Sequence, residues 1–185
     1  HFSNLRDKVI NDWRALVVDL GSLESQHERD ATAAAVLARL WGDRARRRPV
    51  LVVIDEAHNV APDATDDPVR ALATDLAVTI AGEGRKFGIH LVVATQRPAK
   101  VHANVVSQCD NLVLMRLNSR SDVDEVTRIF SHVPRDLVRS APTFGLGQAL
   151  VAGPISPTPQ LIKFGTRLTL EGGGDVPTDW ADIDD

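Results

Sequence analysis

The chain predicts an α/β fold built on a parallel sheet, and three observations carry that prediction. Short apolar runs rich in β-branched residues recur, the most complete being VLVVIDE at residues 50–56, which ends in two adjacent carboxylates. An uninterrupted run of this length reads as a central strand covered on both faces by helices. Segments with apolar residues at helical spacing separate the runs, and repeated strand–helix–strand units imply parallel pairing with right-handed crossovers. A length of 185 residues, 43% hydrophobic and 25% charged, suits one domain able to bury a substantial core.

Taken in order, Phe2, Leu5, Val9 and Trp13 lie at helical spacing and predict a short amphipathic helix. Residues 15–20, ALVVDL, read as a buried strand. Ser25 and Glu28 form a capping-box pattern, which opens a long Ala-rich helix through Ala33, Val36, Leu37, Leu40 and Trp41. Arg44, Arg46, Arg47 and Arg48 follow; cations there complement the helix dipole, a reading preferred to DNA contact. Beyond the 50–56 strand, Asp67 and Pro68 open a second helix with proline in its first turn. Its apolar stripe is Val69, Leu72, Leu76 and Ile80, and Gly82 and Gly84 are expected to end it. Residues 89–95, IHLVVAT, are a third strand and 112–117, LVLMRL, a fourth. Ser121 and Asp124 are expected to start a helix through Val123, Val126 and Phe130, with a shorter helix at about 135–140. Residues 148–151 and 160–164 read as two closing strands around the turn GPISPTP.

There is no internal repeat and no linker before residue 171. Residues 171–185 open on glycines 172–174 and hold six carboxylates with no Lys or Arg. The expected organisation is therefore a folded part at 1–170 and an acidic Gly-rich tail at 171–185, which Trp180 could anchor. The tail accounts for the net charge of −4; without it 21 basic residues face 19 acidic ones, a balance that permits local nucleic-acid contact without arguing for it. No run approaches the roughly 20 apolar residues of a membrane span, and the charged amino end has no signal-peptide apolar region. A single cysteine, Cys109, excludes an internal disulfide and suits a reducing, cytoplasmic setting. The first residue is His and the only Met is Met115, so a piece of a longer reading frame, or a processed chain, is expected.

Chemistry concentrates at two places. Open α/β folds react at the carboxyl ends of their strands. There Asp55 can hold Mg²⁺, directly or through its water shell, and Glu56 can orient or deprotonate an attacking water, the logic of a Walker B strand. The alternative is a core strand followed by a solvated acidic turn. The second constellation is GRKFG at 84–88, the strand, and TQRP at 95–98. If the two strands are neighbours, Gln96 lies near Glu56, where it can sense a γ-phosphate and help hold the water. Arg85 sits where the chain turns back toward the sheet, and its planar fork matches the phosphate oxygens of a neighbour. His58, His90, His102 and His132 show no metal-ligand spacing, and His58 is expected to pack beside the active-site loop. Neither Cys109 nor any serine suggests a nucleophile.

IDEAHN, GRKFGIHLVVATQRP and VVSQCDNLVLMRL closely resemble the HerA/FtsK superfamily of hexameric DNA-translocating ATPases, the HerA branch most nearly, over residues 15 to about 165. The resemblance implies a RecA-like, additional-strand P-loop ATPase fold using ATP and Mg²⁺. It implies Asp55 as the Mg²⁺ carboxylate, Glu56 as catalytic base, Gln96 as sensor, Arg85 as a finger acting on the next subunit and Arg97 as a phosphate neighbour. It further implies DNA and a homo-hexameric ring as partners, with a nuclease or effector as a further partner. Ring translocases commonly thread loops such as that at 97–102 toward the central channel, which makes Lys100 the expected DNA phosphate contact; the alternative is a solvated loop lysine. One departure matters: no G-x-x-x-x-G-K-[ST] occurs. The expected fold is thus incomplete. The Walker A strand, which in this superfamily lies between the glutamine strand and that at 112–117, is missing, and the chain reads as the carboxyl-terminal half of the ATPase domain, inactive alone. IDEAH also occurs in DEAH-box RNA helicases, but their next strand ends in Ser-Ala-Thr, not Ala-Thr-Gln-Arg-Pro. A non-catalytic assembly module is the other alternative.

Overall fold

The computed structural model of the chain describes residues 15–166, 168 and 169. The amphipathic helix expected between Phe2 and Trp13 and the tail at 171–185 lie outside the described residues. Helix α1 (Gln26–Gly42) starts at the expected capping box, where Ser25 Oγ accepts the Glu28 N–H and Glu28 Oε2 accepts the Ser25 N–H, each at 3.2 Å. At its far end Arg44 donates to the Trp41 carbonyl at 2.8 Å and lies over the Trp41 ring, 4.5 Å from the centroid. Phe87 meets the same ring edge-on at 5.5 Å.

Helix α2 (Pro68–Glu83) is capped by Asp67, whose Oδ1 accepts the N–H groups of Val69 at 2.8 Å and Arg70 at 3.0 Å. Gly82 lies within this helix and Gly84 caps it, so only the second of the two expected stop signals acts. The helices pack through small buried residues, Ala33 and Ala34 on one and Ala73 and Ala77 on the other. They are pinned by Arg70, whose Nε and Nη2 both reach Asp30 Oδ2 at 3.1 Å, while Gln26 donates to Asp30 Oδ1 at 2.9 Å. Asp30 is buried, so these bonds replace the water it has lost.

The Asp67 cap has a measurable pH signature. The Arg70 backbone N–H above all, with that of Val69, holds the Asp67 carboxyl below its ordinary range. A lowered folded-state value means that the cap's contribution is present above about pH 4 and lost as pH falls through the folded value below it. Asp67→Ala should therefore lower the thermal midpoint at pH 7, and the difference from wild type should shrink toward zero near pH 2. A difference that persists undiminished in acid would mean that the carboxylate is not the cap.

Strand β1 (Val50–Ile54) pairs in parallel with β2 (Ile89–Val93), Val50 opposite Ile89 and Ile54 opposite Val93. A parallel sheet is present as expected, with α2 as its crossover, but among the described residues it has two strands: the strand expected at 112–117 is shorter and joins a separate antiparallel sheet. One face is covered: Ile54 and Ile89 belong to the buried core, with Val52, Leu91 and Val93 packed against it. The other face is open, with Leu51 64% and Val53 60% exposed beside Val92. The expectation that this strand is covered on both faces therefore holds on one face only. Residues 15–19 also differ from the strand expected there. They join no ladder, Val17 is exposed, and Asp19 Oδ1 accepts the N–H groups of Gly21 and Ser22 in a local turn.

The rest of the chain forms a second sheet. After a single helical turn, α3 (Ala103–Val106), strand β3 (Leu112–Leu114) runs antiparallel to β4 (Gln148–Ala152), which pairs antiparallel with β5 (Gln160–Lys163). Residues 148–152 and 160–163 are thus the closing strands the sequence predicts, joined as a hairpin through the proline-rich turn. β2 and β3 are not paired. Helices α4 (Arg120–Ile129) and α5 (Arg135–Arg139) lie between β3 and β4 in sequence. The cap of α4 is Ser119, two residues before the serine expected, and Ser119 Oγ accepts the Asp122 N–H at 3.4 Å. Val123, Val126, Phe130, Val138 and Leu150 complete the core. Among the described residues no helix is long and apolar enough to cross a membrane.

Candidate active site at the carboxyl edge of the parallel sheet

The two carboxylates after β1 are pushed out of the sheet by one extra residue. The Ala94 N–H donates to the Ile54 carbonyl at 2.9 Å, as a regular parallel ladder requires. The next rung in that ladder would run from Glu56; instead the Ala57 N–H donates to the Ala94 carbonyl at 2.9 Å. Asp55 and Glu56 therefore loop out between two bonds to the same residue, a bulge. Glu56 takes up the slack in the left-handed region, φ 45° and ψ 49°. Its displaced N–H is taken by Asp55 Oδ1 at 2.9 Å, so the first carboxylate holds the backbone of the second.

Parallel pairing brings the end of β2 alongside. Gln96 Nε2 donates to Glu56 Oε1 at 3.0 Å, linking residues 40 apart in sequence. Glu56 Oε2 is shut off from solvent and has no hydrogen-bond partner among the described residues, although Nδ1 of His58 stands 3.3 Å away. That nitrogen bonds Thr95 Oγ1 at 3.1 Å, and the same hydroxyl oxygen accepts the Arg97 N–H at 3.0 Å. At 3.3 Å the two atoms are in close contact without the geometry of a formed hydrogen bond. His58 and Thr95 belong to motifs visible in the sequence, IDEAHN and TQRP, yet neither residue carried an expected chemical role; their spacing along the chain gives no sign that they meet.

The segment after Gln96 is fastened on two sides. The Ala99 N–H donates to Oδ1 of the buried Asp122 at 3.0 Å. The Lys100 carbonyl accepts the Asp63 N–H at 2.9 Å, and Pro62 bridges Val101. Lys100 itself is exposed at the end of the Pro98–Lys100 turn.

Asp55, Glu56, Gln96 and the backbone of Arg97 are therefore brought together, whereas Arg85 is not. Arg85 is exposed in the turn Gly84–Phe87 that precedes β2, so in a parallel pair it stands at the opposite edge. Five strand residues separate the edges, roughly 15 Å. Its placement depends on two glycines. A Cβ at Gly84 would lie 2.6 Å from the Ile89 carbonyl oxygen, and Gly88 has φ +81°. For Mg²⁺, Asp55 is exposed and Oδ2 has no bond among the described residues, which suits one carboxylate of a site completed by nucleotide phosphates and water. Among the described residues no group of three or more His, Cys, Asp or Glu side chains forms a protein-only metal cage.

No protein-family model matches the chain. A Methanocaldococcus jannaschii protein named as a probable helicase is 28% identical over 178 residues, covering 90% of this chain and 34% of that protein. The DNA double-strand break repair helicase HerA of Pyrococcus furiosus is 32% identical over 67% of this chain and 22% of its own length. That of Sulfolobus acidocaldarius is 30% identical over 80% and 30%. The chain thus spans between 22% and 34% of the length of these three relatives. Among solved structures, the genome packaging NTPase B204 from Sulfolobus turreted icosahedral virus 2 in complex with ATP-gammaS superimposes with a TM-score of 0.59 at 16% identity, over 85% of this chain and 70% of that one. Its AMPPCP complex gives 0.59 at 15% identity. These likenesses support the α/β P-loop NTPase fold.

Proposed function

We propose that this chain, a homologue of the HerA helicases at about 30% identity over most of its length, is part of the ATPase domain of an ATP-driven DNA translocase acting as a homo-hexameric ring. The observation that carries the reading is the Gln96–Glu56 hydrogen bond at 3.0 Å on a carboxylate pair looped out of the sheet edge. Bound ATP with Mg²⁺ would supply the phosphoryl group that water attacks. Asp55 holds the metal's side of that site, and Glu56 takes the proton of the attacking water. Gln96 orients the same water and reports on the γ-phosphate, with Arg97 beside it. Arg85, at the opposite edge, acts on the nucleotide of the next subunit. Residues 1–170 belong to the ATPase part and 171–185 form a separate acidic tail. The protein works in the cytoplasm, with a nuclease or effector as a further partner.

The phosphate-cradling loop comes from a segment other than this chain, because no P-loop motif occurs in its sequence. Titration of the isolated chain with labelled ATP and Mg²⁺ should therefore show no saturation in the micromolar range and no turnover. Micromolar affinity would overturn this division of labour.

DNA contact is assigned to Lys100, exposed on a loop held to Asp63 and Asp122 beside the reacting edge. Lys100→Ala in the whole protein should weaken duplex binding and make the dependence of log K on log salt shallower by about one unit. An unchanged slope would remove Lys100 from the DNA path.

A further inference from the structure

The carboxylate assigned as base is held asymmetrically. Oε1 has a donor in Gln96 at 3.0 Å, while Oε2 is closed off from water and has no hydrogen bond. A buried carboxylate oxygen in that condition is costly, and it selects whatever donor can reach it. His58 Nδ1, 3.3 Å away, is the group so placed. We propose that His58 is a positioning residue for Glu56: its Nδ1–H holds Oε2 inward, so that Oε1, beside Gln96, is the oxygen that faces the reacting water. The inference rests on Glu56 being the base.

The tautomer follows from the neighbours. Were the proton on Nε2, the Nδ1 lone pair would face the lone pairs of an ionised Oε2, and the two would repel. With the proton on Nδ1, one N–H is shared between Thr95 Oγ1 at 3.1 Å and Oε2 at 3.3 Å. Thr95 Oγ1 accepts the Arg97 N–H at 3.0 Å with one lone pair and keeps a second to accept from the ring. The imidazole is anchored through Thr95 to β2 while Glu56 belongs to the bulge after β1. The pair therefore fixes a three-torsion side chain across two strands. Gln96 alone fixes one oxygen and leaves the carboxylate free to rotate about that bond. A second contact removes the rotation, and misplacement of a base by about 1 Å is enough to lose roughly 100-fold in rate.

The experiment uses the whole protein, Mg²⁺–ATP and a DNA duplex. His58→Ala should lower kcat about 10- to 100-fold and leave the KM for ATP within about twofold, because the residue touches the base and not the nucleotide. His58→Phe keeps the ring volume without the N–H and should behave as the alanine variant. His58→Asn sets an amide N–H near the position of Nδ1 and should recover most of kcat, whereas His58→Gln sets it near Nε2 and should not. A phenylalanine variant with wild-type kcat, or equal rescue by Asn and Gln, overturns the proposal. Thermal midpoints of the four variants separate unfolding from misplacement, and should the alanine variant unfold, the Phe, Asn and Gln comparison still decides. Glu56→Gln is run alongside. If it abolishes turnover while His58→Phe does not lower it, only the role of His58 falls. If Glu56→Gln turns over normally, the reading of Glu56 as base falls and this inference with it.

Discussion

Arg85→Ala in the whole protein should lower ATP turnover by about 10³- to 10⁵-fold, the range over which arginine fingers act in other P-loop enzymes, with nucleotide binding and folding intact. Parallel pairing sets Arg85 roughly a strand's length from its own Asp55 and Glu56, so it cannot serve the nucleotide bound at its own edge. It is exposed, and the Gly84–Phe87 turn that carries it is fixed from beneath. Gly84 packs against the Ile89 backbone, and Phe87 packs on Trp41, over which Arg44 also lies. The bracing fixes the backbone at Arg85, and the planar guanidinium fork matches phosphate oxygens without further internal ordering. Mixed rings decide whether it acts across a boundary. Arg85→Ala protomers combined with Glu56→Gln protomers create some interfaces where a wild-type Arg85 meets a wild-type Glu56, and partial activity should return there. Exchanging protomers that give rings as inactive as either parent would show that Arg85 does not act in trans.

Glu56→Gln should abolish hydrolysis, by about 10²- to 10⁴-fold or more, while ATP binding is retained. The substitution preserves the length of the side chain and an oxygen to accept from Gln96; it removes the capacity to take a proton and puts an amide nitrogen in place of the oxygen opposite His58. Bound ATP should accumulate unhydrolysed, measurable as nucleotide recovered with the protein after rapid gel filtration. If kcat is unchanged, Glu56 is not the base, and the solvated acidic turn becomes the better description of this corner.

The sequence carried the fold unevenly, for physical reasons. Signals complete within a few residues were readable: the Ser25–Glu28 box and the Asp67–Pro68 cap both appear where expected, because each is a bond between near neighbours. The parallel pairing of β1 with β2 also follows from the strand–helix–strand order. What an apolar run cannot state is how many of its faces find a partner. VLVVI reads as doubly covered, yet Leu51 and Val53 face outward, and ALVVDL at 15–20 reads as a strand although nothing among the described residues pairs with it. The site shows the same division. The meeting of Gln96 and Glu56 follows from neighbouring strands that end at one edge. The part proposed for His58 does not, because it depends on where a bulge one residue long turns the Glu56 side chain.

That bulge sets stability against chemistry. A glutamate at φ 45° occupies a region that L-residues other than Asn, Asp and Gly enter at a penalty of order 1–2 kcal/mol. Glycine at position 56 would sit there without strain and asparagine with less of it. A laboratory selection for heat resistance alone would therefore favour replacing Glu56, and with it the base proposed for hydrolysis. The strain at Glu56 is a cost that folding alone does not require and that the proposed role in catalysis would offset.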